Sequence, residues 1–589
     1  MFGLKSIFIQ SVLLSSLFLI GCTKKQDLTE KVIYNVSAAN LLSLDPILCS
    51  NVYCSKEISR VYESLLEFHY LKRPYTLVPN LASEMPKVSE DGLTYTFKLR
   101  DDVFFHDNAC FKDGKGRKMV AKDVVFSIKR LADAKNISNN WWLLDGKLVG
   151  LNEWRTKYSS KESNFEEVVE GLKAIDDSTV QFKLTKKFPQ FLYSLAMTAT
   201  NVVPREAVEK YGKEFTNHMV GTGPFITGEF KTKNKLVFTK NPNFRKKLYP
   251  SEGEPGDKEK GFLKHAGKQL PLVDKIITSI ATEAQTRWLG FQKANYDFVE
   301  VPKDNFDQVV LPDLSLNSDY AKKGIDLMME ADLDTTYIAF NHDDPIFKDN
   351  PKLKQAMSMA YDHDEANKLF YNNTAQLAHG PIPPGIAGHD PSFKNPSKVF
   401  DIEGAKKKLA EAGYPEGKGL PVLTYEYKAD TVGRQMADFF SKNMKKIGIT
   451  VKTNGNTWPQ LTTKIKKRQA QMWGIAWVGD YPDAENFLQL FYGPNSAPGA
   501  NGSNFNDSLF NALFEKATVM QDSPERTKLY KELNGYIADK MPWLFGVHRQ
   551  RIFLKHDWLD NFKFTVFPYG REAYLDVDLE KKAKLLKNF

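Results

Sequence analysis

Cysteine is scarce, at four in 589 residues, so the chain has no disulfide scaffold and must hold itself together by its core. Signs of common catalytic machinery are equally thin. None of the 10 histidines precedes a glutamate, which removes the H-E-x-x-H zinc-protease pattern. No G-x-S-x-G nucleophile turn occurs. The closest approach to a phosphate loop, Gly261 to Gly267-Lys268-Gln269, has one residue too many between its glycines and lacks the final Ser or Thr. Asp362-His363-Asp364-Glu365 has metal-ligating residue types, but at the end of an apolar helical stripe it reads as a polar helix terminus. The formal charge of +9 comes from 81 basic and 72 acidic residues that alternate along the chain, so no basic stripe marks a nucleic-acid partner. No enzyme, cofactor or metal is expected.

What is present begins at the N-terminus. Lys5 is the one charge before Cys22, and Ser6 to Gly21 is an uncharged, mostly apolar stretch. That is shorter than the ~20 residues needed to span a bilayer as a helix. The layout is that of a secretory signal, residues 1–21. Leu19-Ile20-Gly21-Cys22 resembles the bacterial lipobox, which implies lipid on Cys22 and a soluble body anchored to a membrane of the cell envelope, on its periplasmic or extracellular face. For an exported chain, Cys49 and Cys54 can form a disulfide or remain two buried thiols, with Cys110 apart.

Strands and helices interleave. Thr94 to Arg100 and Thr179 to Thr185 alternate polar and apolar residues as half-buried strands do, and Lys235 to Lys240 does so less cleanly. Ala121 to Leu131 and Ala405 to Ala412 read as helices. Asn350-Pro351 supplies an N-cap and a first-turn proline ahead of Leu353, Ala356, Met357 and Ala360, a core-facing stripe. This mixture predicts α/β or α+β lobes. Tyr249 to Gln269, poor in apolar residues, is expected as an exposed insertion, with Lys112 to Lys118 a smaller loop.

A family resemblance rests on segments in a fixed order: Leu44-Asp45-Pro46; Arg60-Val61-Tyr62-Glu63-Ser64-Leu65-Leu66; Leu77 to Ala82; Ser89 to Arg100; Val103-Phe104-Phe105-His106-Asp107; Ala121 to Ser127; Gly221-Thr222-Gly223-Pro224-Phe225; Asn241-Pro242; Tyr337 to Tyr361; and Trp477-Val478-Gly479-Asp480-Tyr481-Pro482-Asp483. Together, behind a lipobox, they resemble the oligopeptide- and dipeptide-binding receptors of ABC importers. The resemblance implies an α/β, two-lobed periplasmic-binding-protein (Venus-flytrap) fold with an additional α+β domain and a hinge of two crossing strands. The N-terminal lobe would comprise 27–66, 200–325 and 548–589, the extra domain 67–199 and the second lobe 326–547. The hinges fall near Met328-Met329-Glu330 and Phe545-Gly546-Val547.

A peptide of any sequence offers an ammonium group and repeating N–H and C=O groups. A general peptide receptor therefore calls for a carboxylate anchor and a free strand edge. The resemblance puts the anchor on Asp480, with Trp477, Gly479, Tyr481 and Trp473 around it. It puts Ser50, Asn51 and Val52 on the opposite wall, Val52 as main-chain partner. Gly474 stands where oligopeptide receptors often carry an Arg, and Leu544-Phe545-Gly546 where some relatives have tyrosines. The expected partners are peptide ligands and ABC permease subunits, with membrane contact through the N-terminal lipid alone and the protein a monomer. A receptor of this fold for a sugar, nickel chelate or haem is the alternative. An exported hydrolase is the third, for which no nucleophile–base pair is visible.

Overall fold

The computed structural model describes residues 28–41, 43–231, 234–567 and 569–589. The leader and Cys22 lie outside these.

Near the N-terminus Val32–Ser37 runs parallel to Lys275–Ile280, which pairs antiparallel with Lys235–Lys240, itself antiparallel to Phe225–Lys231. Residues 87–183 supply a separate antiparallel sheet of four strands. There Tyr95 and Phe97 of one predicted strand face Phe182 and Val180 of the other in register, and Phe97 meets Phe182 edge-on at 5.7 Å. A five-stranded sheet, in the order Val451–Asn456, Leu423–Lys428, Met472–Val478, Asp334–Phe340, Trp543–Phe545, makes the second lobe. Helix Pro351–Ala360 packs against it through the four stripe residues, all buried, and Asn350 caps its start by accepting from the Leu353 N–H at 3.2 Å.

Several family-like segments are structural joints. Asp45 takes a two-pronged ion pair from buried Arg130, with Nη1 at 2.7 Å. Glu63 is held by both Arg245 nitrogens at 2.6 and 2.8 Å and by the Thr222 hydroxyl. A Cβ at Gly221 would lie 2.0 Å from the Val61 carbonyl, so only glycine fits there.

Two long strands cross between the lobes. Ile325–Ala331 pairs antiparallel with Gln550–His556, and each continues into the second-lobe sheet. The switch between sheets falls at Asp332–Leu333 and near His548–Arg549, a few residues beyond the expected Met328–Glu330, which lies within a paired strand. Asp332 N–H donates to the Arg549 carbonyl (2.9 Å), and Arg551 bridges Asp332 (2.5 Å) and Glu300 (2.9 Å). Buried Asp334 pairs with Arg549.

The 249–269 insertion is mostly exposed, as its composition predicts, and is pinned at a few buried points. Tyr249 is buried with its hydroxyl donating to Phe262 O (2.8 Å), and Lys563 pins Asp257 at 2.7 Å. Among the described residues no helix is long and apolar enough to cross a membrane.

Candidate functional site

A cavity of about 1630 Å³ lies between the lobes. Its second-lobe wall is built on the Met472–Val478 strand. That strand pairs along its whole length with Asp334–Phe340 on one side. On the other it meets Leu423–Lys428 only at Met472 and Trp473. From Gly474 to Val478 this second edge therefore carries no strand partner among the described residues.

Past the strand, the Gly479 N–H donates to Leu333 O (2.7 Å) and turns the chain so that Asp480 faces the cavity. Asn486, fully buried, organises the corner. Its Oδ1 accepts from the Asp480 N–H (2.9 Å) and from Trp477 Nε1 (3.0 Å), and its Nδ2 reaches Asp480 Oδ2 (3.3 Å). Three acids crowd this turn. Asp483 is neutralised by both Arg526 nitrogens at 2.9 and 3.0 Å. Glu485 takes the Tyr481 hydroxyl. Among the described residues Asp480 has no cationic partner. Burial, with the nearby Glu485 carboxylate adding to it, pushes the Asp480 carboxyl up to about 6 against the opposing Asn486 hydrogen bond. A half-buried acid in this state is suited to receive a cation.

The structure brings together Asp480, Trp477, Trp473, Ser50, Asn51 and Val52 as cavity wall. Trp477 is half-buried, whereas Trp473 is 3% exposed and mainly core. Two expected ligand residues do not line the cavity. Gly479 is backbone behind it, and Tyr481 points away and stacks on Tyr193.

Residues 50–52 reach the cavity as the entry to a helix. Asn51 caps helix Val52–Ile58, its side chain accepting from the N–H groups of Tyr53 (3.1 Å) and Cys54 (3.2 Å). Val52 is thus the first helical residue. A disulfide joins Cys49 to Cys54 across this turn, and Asn140 Nδ2 ties Cys49 O at 2.7 Å. Cys110 is a free cysteine.

Gly474 has a local reason: a Cβ there would lie 2.1 Å from the Tyr425 hydroxyl. Sequence reasoning missed Asn486, which is buried behind the wall, and Trp543, which stacks on Tyr337 with centroids 3.4 Å apart. Among the described residues no group of three or more His, Cys, Asp or Glu side chains could hold a metal ion. His363 and Asp362 instead start a helix, Asp362 accepting from the Glu365 N–H (3.0 Å).

The profile of the bacterial extracellular solute-binding proteins, family 5, matches residues 76–499. The chain belongs to this family. Similar members include heme-binding protein A of Haemophilus influenzae, 28% identical over 535 residues, covering 89% of this chain and 87% of that protein. The dipeptide-binding protein of Escherichia coli is 28% identical over 492 residues, 83% of each chain. The periplasmic binding protein DppA of Helicobacter pylori, solved with the peptide STSA, is 23% identical. It superposes with a TM-score of 0.76 over 93% of this chain and 98% of its own. This family-5 chain thus has the two-lobed periplasmic-binding-protein fold, with its cavity between the lobes.

Proposed function

We propose that this family-5 protein is a lipid-anchored, extracytoplasmic peptide receptor that delivers its ligand to an ABC importer. The observation that carries the reading is the cation-free carboxylate of Asp480 beside the unpaired Gly474–Val478 edge in one cavity. Together they complement an ammonium group followed by a peptide backbone, whatever the side chains. The dipeptide-binding and peptide-loaded relatives support the same reading. The division into an N-terminal lobe (27–66, 200–325, 548–589), an extra domain (67–199) and a second lobe (326–547) goes with it, as do a monomeric state and lipid on Cys22.

The test is a cycle of two proteins and two peptides by isothermal titration. Asp480→Asn keeps the shape and removes the charge. Breaking a buried charged pair costs ~2–5 kcal/mol, about 30- to several-thousand-fold in affinity. N-acetylation of the peptide should cost wild type a similar factor and the variant far less, because one interaction is being removed twice. Additive losses would place the amine elsewhere. Native mass spectrometry of the purified protein checks the ligand class. A ladder of short peptides supports the reading, and a single haem, sugar or metal chelate overturns it.

A further inference from the structure

The two faces of the second-lobe sheet differ. Trp473, Trp477, Trp543 and Tyr337 alternate onto one face. On the other, the positions nearest the lobe connections are small: Gly474 and Ala476, Thr336 beside them, and Gly546, whose N–H donates to Thr336 O at 2.7 Å. With the Tyr425 hydroxyl over Gly474 and the Thr336 hydroxyl over Gly546, the row borders a recess that opens into the main cavity and is walled by Tyr361, Tyr371, Tyr425, Phe370 and Met436.

Small residues alone would be filler. The tyrosines are the second observation. Tyr361 is 8% exposed and Tyr425 4%. Among the described residues neither hydroxyl makes a hydrogen bond, yet neither is sealed inside the protein, so both open on the recess. A hydroxyl so placed lacks a partner that folding would normally supply. The rings cannot swing away to find one. Tyr361 stands edge-on against Phe439 (5.4 Å, 89°), and Tyr425 leans on Phe440 at 5.1 Å. The Tyr371 and Tyr425 hydroxyls sit close enough to add to the upward push that burial gives Tyr361, so all three converge as neutral groups. Arg549, the cation that acts on Tyr371, is committed to Asp334.

We propose that this recess is a selectivity pocket for an aromatic ligand side chain that carries a hydrogen-bonding ring atom, such as phenol, indole or neutral imidazole. Tyr361 and Tyr425 read that atom. The inference rests on the peptide reading: a ligand main chain on the free Gly474–Val478 edge turns alternate side chains to this face, over the small residues. A polar pocket that loses its partner discriminates strongly, whereas a purely apolar one does not.

The experiment is titration of wild type, Tyr361→Phe, Tyr425→Phe and the double variant. The ligands are trialanine frames bearing Tyr, Phe or Leu at each position in turn. At one position Tyr should bind at least about tenfold tighter than Phe. Each single variant should shrink that ratio, and the double variant should bring it close to one. The Phe substitutions keep the ring packing, and circular dichroism melting verifies the fold. Equal affinity for Tyr and Phe at every position, with trialanine still bound, overturns the pocket and leaves the peptide reading intact. A ratio that persists in the double variant also overturns it. Failure of every peptide, trialanine included, removes the peptide reading and the pocket with it.

Discussion

Tyr481 stacks on Tyr193, with ring centroids 5.5 Å apart and planes 7° from parallel. Tyr481 is the neighbour of Asp480. Tyr193 sits in a short helix whose Phe191 plugs against Tyr95 and Phe182 of the 87–183 sheet, 5.5 Å from each. The contact therefore runs from the turn carrying the proposed anchor to a body on the far side of the cleft. Lys466 Nζ to Asn139 Oδ1, at 2.5 Å, is a second such crossing.

Tyr193→Ala should weaken closure; Tyr193 does not line the cavity itself, although it also stacks on the wall residue Phe68 at 6.0 Å. An aromatic pair is worth ~0.5–1.5 kcal/mol beyond area burial, so peptide affinity should fall about two- to tenfold. Small-angle scattering of the ligand-free variant should give a larger radius of gyration than wild type. Identical profiles together with identical affinities would show that the stack does not report on closure.

The Asp480 carboxyl, raised from 3.8 to about 6 by burial, gives two pH effects of opposite sign. The empty fold favours the neutral acid, so that stabilisation is present below about pH 4 and lost as pH rises through 6. By pH 8 wild type has lost up to ~3 kcal/mol that Asp480→Asn does not lose. Denaturant titrations of the two ligand-free proteins should diverge by roughly 2–3 kcal/mol between pH 4 and pH 8 in favour of the variant. Peptide affinity runs the other way, because the ammonium needs the ionised form. It should be flat above pH 7 and fall by up to about tenfold per pH unit below 6. A pH-independent affinity would remove Asp480 from the ligand contact.

Gly474→Ala should be destabilising because of a single atom. The new methyl meets the Tyr425 hydroxyl, and Phe440 behind the ring resists retreat. Overpacking of this kind costs ~1–3 kcal/mol. Adding Tyr425→Phe should recover part of it. If the second change does nothing, another neighbour sets the requirement for glycine.

Cys22→Ser should abolish lipid attachment and leave the precursor uncleaved at Gly21. Palmitate labelling of the variant equal to that of wild type would refute the lipobox assignment.

Signals that act between neighbours in sequence were legible. Asn350-Pro351 opens its helix, and the alternating segments at 94 and 179 pair with each other. The resemblance picked Asp480 out of its run, but the local pattern gives no reason why this acid, and not Asp483, is left without a cation. That depends on Arg526, 43 residues on from Asp483 and holding it, and on no cation doing the same for Asp480. Residues 50–52 were placed on the opposite wall by resemblance alone; that Asn51 opens the Val52–Ile58 helix follows the preference of its residue type for the N-cap. Tyr361 and Tyr425 reach one recess from elements more than sixty residues apart, a convergence that no local pattern encodes.

An unpaired strand edge is normally a hazard, because another sheet can add to it and seed aggregation. The Gly474–Val478 edge escapes this by its depth. It lines the interlobe cavity with Ser50, Asn51 and Val52 on the opposite wall, so a single extended chain would reach it more readily than the rim of a second folded molecule. Such enclosure would act as a filter on shape. It admits strands that come alone and refuses strands that arrive as part of a sheet, so a sticky backbone can stay exposed to ligand without gluing receptors to one another.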